Sequence, residues 1–127
     1  MSKDQTHSLI EMFSGPLSAD GNLTAELRSE VASFVGPTVC ARSIGVEFVE
    51  SRGVALVSLG YTQEPGLPVN LSSVKVGQLF EGEPVDTKKL GAQMSEAAAA
   101  LGGVICQEFY VTADGSVFAV FLANQLV

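Results

Sequence analysis

Cys106, Glu108 and Tyr110 take alternate positions in the apolar run 105–112, a spacing that sets a thiol, a carboxyl and a phenol on one face of a β-strand. A carboxyl held among apolar neighbours could exchange a proton near neutrality, and a phenol beside it could hold a substrate oxygen. Tyr61, at the end of another apolar run, is the chain's other phenol. Two uses follow. Tyr61, Cys106, Glu108 and Tyr110 could line a binding site, or Glu108 could serve as acid/base with Tyr110 or Tyr61 in a cofactor-free isomerase, cyclase or hydrolase of a small hydrophobic substrate. Charged side chains are almost never fully buried unless paired, so a wet carboxylate at a strand edge, or one hydrogen-bonded across a subunit interface, is the simpler expectation. No second titratable group stands at a fixed spacing from Glu108. Binding is therefore the primary expectation and catalysis the alternative.

Other chemistries lack their residues. One histidine and two well-separated cysteines cannot build a tetrahedral transition-metal site. The loop beginning at Ser18 resembles a calcium loop between helices, but it puts Leu23 where a glycine is needed and Ser29 where a bidentate glutamate is needed. There is no Gly-x-x-x-x-Gly-Lys loop, no Gly-x-Gly-x-x-Gly turn and no Gly-x-Ser-x-Gly elbow. His7 lies near the terminus, where a solvated side chain is expected. Glu81, Glu83 and Asp86 precede a helix and complement the positive end of its dipole. The net charge is −7 and the seven basic residues are scattered, so nothing gathers to neutralise phosphates. Nucleic acid and anionic membranes are poor partners on this ground, and no cofactor is expected.

The elements that must position these residues follow from periodicity. Asp4 can cap a first helix carrying Leu9, Ile10 and Phe13, stopped by Gly15-Pro16. A second helix starts at Asn22 or Thr24, carries Leu27, Val31, Phe34 and Val35 on one face, and ends at Gly36-Pro37. Alternation of Ile44, Val46 and Phe48, then the turn 50–53, then the run 54–61, predicts a β-hairpin. The Pro/Gly-containing segment 62–70 predicts an irregular loop, and 71–80 a third strand. Asp86 caps a helix whose Leu90, Met94, Ala98 and Leu101 share a face, ended by Gly102-Gly103. The strands 105–112 and 116–123, joined through Ala113-Asp114-Gly115, form the strongest hairpin. No internal repeat is visible.

The expectation is one α+β domain over 1–127, an antiparallel sheet of about five strands with helices packed on it, in the order ααβββαββ. At 127 residues, with 46% hydrophobic residues, the chain can bury a substantial core. The strand 117–123 is apolar on both faces, and three helices need not cover five strands, so a homodimer or higher oligomer is expected. Cys40 and Cys106 sit among apolar residues and are expected as buried thiols rather than a disulfide. The longest apolar run, 117–123, is too short to span a bilayer as a helix, and the amino terminus lacks a secretory signal pattern, so a soluble cytoplasmic protein is expected. The functional expectation is a binding module holding a small apolar molecule or a partner-protein segment at a sheet face or subunit interface. Helix, three strands, helix, two strands in a small acidic chain is similar in layout to the type III secretion chaperones, which dimerise and wrap an effector. That resemblance implies a protein-chaperone role, although the chain lacks their final helix.

Overall fold

The computed structural model describes residues 9–80 and 84–125; His7, Asp4, Glu81 and Glu83 lie outside them. The chain is α+β with two helices and six strands: β1 (Leu9–Pro16), α1 (Ala25–Phe34), β2 (Cys40–Val49), β3 (Val54–Thr62), β4 (Val69–Gln78), α2 (Thr87–Leu101), β5 (Val104–Val111) and β6 (Ser116–Asn124). Among the described residues no helix is long and apolar enough to cross a membrane.

The expected order ααβββαββ and the single five-stranded sheet are both overturned. Residues 9–16 form a strand where a helix was expected, pairing antiparallel with β3 from Leu9↔Tyr61 to Pro16↔Val54. Leu9, Ile10 and Phe13 fit a helical stripe, but the segment also alternates: Phe13 is buried, while Ile10, Met12 and Ser14 point outward. The free edge of β3 decides between the two. Proline is tolerated at the end of an edge strand, so Pro16 does not oppose the pairing.

The strands divide into two three-stranded antiparallel sheets, ordered β1-β3-β2 and β4-β6-β5. This is one arrangement made twice. β1, α1, β2 and β3 form a first unit and β4, α2, β5 and β6 a second, each a strand, a helix and a hairpin whose last strand lies in the middle. Even the irregularities correspond, since the strand after each helix shifts register near its start, between Ala41 and Ser43 in β2 and between Val104 and Cys106 in β5. The sequence shows no repeat, yet the backbone has one. The helix–three strands–helix–two strands run behind the chaperone likeness is present from α1 to β6, but β1 precedes it and the strands split between two sheets.

The units meet along β2 and β5, where the Ile44 backbone amide reaches the Cys106 sulfur and the Phe48 ring lies 6.1 Å from Tyr110. Among the described residues no hydrogen-bonded ladder joins these two strands. The opposite side is closed by α1, packed on both β1 and β4. Thr24 caps α1 by accepting a hydrogen bond from the Leu27 amide at 3.3 Å, and Leu27 and Val31 turn into a core shared with Phe13, Ile44, Val57 and Leu59.

Helix α2 lies elsewhere, on the outer face of the second sheet. Asp86 caps it through the Lys89 amide at 3.0 Å. Leu90, Met94, Ala98 and Leu101 pack over Val117, Ala119 and Phe121, the face read from the sequence, though none of the four is fully buried. Gly77 lets the helix approach, because a Cβ there would stand 2.6 Å from a Leu90 methyl. Strand β6 is thus covered on both sides within one chain: Phe118, Val120 and Leu122 face the shared core, and Val117, Ala119 and Phe121 face α2. Its double-sided apolarity is that of a central strand and gives no ground for self-association.

Candidate functional site

Among the described residues no helix packs on the outer side of the first sheet, whereas α2 packs on β4 and β6 of the second. Across the outer side of the first sheet, register places Ile10 beside Gly60 and Ser43, Met12 beside Ser58 and Gly45, and Ser14 beside Leu56 and Glu47. The middle of this face is low. Gly45 and Gly60 each lie opposite a serine whose hydroxyl occupies the place of a glycine side chain, since a Cβ would come within 2.7 Å of Ser58 Oγ at Gly45 and 2.4 Å of Ser43 Oγ at Gly60. On the β1 side stand Ile10 and Met12, 68% and 58% exposed. The result is an open depression of about 350 Å³ lined by Met12, Gly45, Val46, Leu56 and Ser58, with the carboxylates Glu47 and Glu108 at its margin.

The structure distributes the expected site residues rather than gathering them. Cys106, Glu108 and Tyr110 do share the inward face of β5, opposite Leu122, Val120 and Phe118. Glu108 reaches the depression at the seam. It also accepts a hydrogen bond from the Phe109 amide at 3.3 Å. Tyr110 is buried in the shared core, stacked on Phe118 at 5.1 Å, and its hydroxyl donates to the Gly21 carbonyl at 2.9 Å. Burial pushes its pKa up, as expected when the charged form would be desolvated. It acts as a tie between sheet and loop. Tyr61 packs edge-on against Phe34 at 5.0 Å. Neither tyrosine lines the depression with Glu108.

Cys40 and Cys106 are both free and both half-buried, less enclosed than expected. Burial raises the Cys106 pKa, the Ile44 amide opposes the rise, and the charge of Glu108 adds to it. A thiol so held is protonated at neutral pH and a weak nucleophile. Asp20 and Asp114 have lowered pKa values because the hydroxyls of Ser18 and Thr112 donate to them, bonds that lie within two loops. Among the described residues no group of three or more His, Cys, Asp or Glu side chains is placed to hold a metal ion.

Sequence reasoning missed residues that line the depression, Met12, Gly45, Leu56 and Ser58, and Ile10 beside them on the same face. The outward alternation of Ile10, Met12 and Ser14 was the available signal for β1. Nothing local says that this face stays bare. Comparisons with protein families, with curated proteins and with solved structures find no match.

Proposed function

We propose that this protein is a binding module and that its recognition surface is the bare outer face of the first sheet. The observation that carries the proposal is the difference between the two units. Their strand order is the same, yet α2 covers β4 and β6 on the outer face of one, leaving the β5 row with Phe109 exposed there, while Ile10 and Met12 stand exposed on the other, where no helix lies over any strand among the described residues. Sites for small molecules bury most of the ligand surface in a concave pocket. This depression is open and shallow, which favours a segment of a partner protein over a small apolar molecule. Glu108 and Glu47 are the titratable lining residues, and the acid/base alternative, which pairs Glu108 with Tyr110 or Tyr61, lacks its phenol there.

Carbon-13 labelling of methionine methyls tests the proposal. Met12 reports on the bare face, and Met94 reports on the face under α2. Titration with a panel of short apolar peptides is expected to move the Met12 signal and leave Met94 in place. A panel that leaves Met12 unmoved refutes the assignment of this face.

A further inference from the structure

We infer that the occupant of the bare face is a basic amphipathic α-helix of another protein, an inference that rests on the binding reading above. The molecule already shows how one of its sheets takes a helix. On the second unit, the fifteen-residue α2 lays Leu90, Met94, Ala98 and Leu101 across β4 and β6, with Gly77 giving room for Leu90. The first unit offers the same strand order without the helix, because its own α1 packs against β1 and β4 instead.

The dimensions agree. β1 and β2 flank β3, so their rows stand about 10 Å apart, and a helix with its side chains is about 10–12 Å across. Between those rows the floor is Gly60 and Ser58, with Gly45 beside Ser58. These small residues admit a helix backbone closely, while Ile10, Met12 and Leu56 supply apolar contact.

Charge selects the kind of helix. Glu47 and Glu108 border the depression, and among the described residues no basic side chain lines it. Arg42, elsewhere on β2, is held by Glu64 at 3.2 Å. A partner helix with Lys or Arg along the flank that lies over β2 would meet both carboxylates. A second copy docked through the same face would present the same carboxylates, on a chain whose net charge is −7. Like charges placed across an interface suppress association.

The test uses the full chain, methionine methyl labelling and two synthetic fifteen-residue helical peptides of leucine and alanine, one with lysines on its polar face and one with glutamates. The lysine peptide is expected to shift Met12 and not Met94, with affinity falling about tenfold on Glu47→Lys and falling again with added salt. Ile10→Ser, a change at an exposed site, is expected to weaken the same complex while leaving the denaturation midpoint unchanged. Met12 shifts that are equal for the two peptides, or larger for the glutamate peptide, overturn the inference. So does a response to an extended apolar peptide but to neither helix; these results leave the face as a binding surface. A Met12 shift produced by raising protein concentration alone identifies a second copy as the occupant and overturns the inference. Met12 unmoved by every peptide overturns both the inference and the binding reading.

Discussion

Phe121→Ala tests whether β6 is the interior of one chain. Phe121 is fully buried on the β6 face that meets α2, among Val76, Val117 and Ala119. A phenylalanine ring buries about 150–250 Å², which at about 25 cal/mol per Å² is worth roughly 4–6 kcal/mol of transfer free energy. Alanine keeps part of that, and the helix can settle partly into the space, so the expected loss is about 3–5 kcal/mol. Domains of this size are stable by about 5–15 kcal/mol. With a urea dependence of about 1–3 kcal/mol per molar, the midpoint should fall by roughly 1–5 M. The assay is urea denaturation of wild type and variant, each at two protein concentrations a hundredfold apart. The closed core predicts a large fall in the variant and midpoints independent of concentration in both. A variant midpoint within error of wild type would refute the placement of Phe121, and a wild-type midpoint that rises with concentration would refute closure of β6 within one chain.

Tyr110→Phe keeps the stack on Phe118 and removes the hydrogen bond to Gly21, so it should cost about 0.5–1.5 kcal/mol in urea denaturation while leaving the Met12 methyl signal in place; a displaced Met12 signal would contradict its role as a tie remote from the depression. Gly77→Ala puts a methyl against Leu90 and should cost about 1–3 kcal/mol, with less than additive loss in the Gly77→Ala, Leu90→Ala double variant; strict additivity would mean the two do not touch. Asp114 has a folded pKa below its ordinary 3.8, so its stabilising contribution is present above that value and lost as pH falls through the lower folded value. The gap in urea midpoint between wild type and Asp114→Ala should therefore close in acid below pH 3.8, and a gap unchanged at pH 2 would refute the assignment.

The two hairpins and the Asp86 cap were legible, and the α1 cap was narrowed to Asn22 or Thr24, because their determinants are local. Asp114-Gly115 supplies a turn that takes positive φ, at 88° for Gly115, and Thr24 and Asp86 sit one residue before amphipathic stripes. What was not legible depends on contacts distant in sequence. Leu9, Ile10 and Phe13 satisfy a helical stripe as well as an edge strand, and the choice lies with β3, more than 40 residues away. The apolar run 117–123 was read as a strand left uncovered and so calling for self-association, and only the positions of α2 and the first unit show it as a central strand covered on both sides. For the candidate site, the alternation of Cys106, Glu108 and Tyr110 was correct as geometry. Their separation into core, tie and margin follows from how β5 lies along β2, which no spacing within β5 encodes.

The seam between β2 and β5 also governs how the molecule breathes. Because no ladder spans it, the two units are separate backbone hydrogen-bond networks, crossed by side-chain ties such as Asn22 to the Ser73 carbonyl at 3.1 Å and Tyr110 to Gly21. Parting the seam loses ring and methyl packing but breaks no strand pairing. Amides in the middle strands β3 and β6 are then expected to keep their protons against deuterium until global unfolding, while the edges of β2 and β5 that face each other are labelled earlier, through motions that leave both sheets intact.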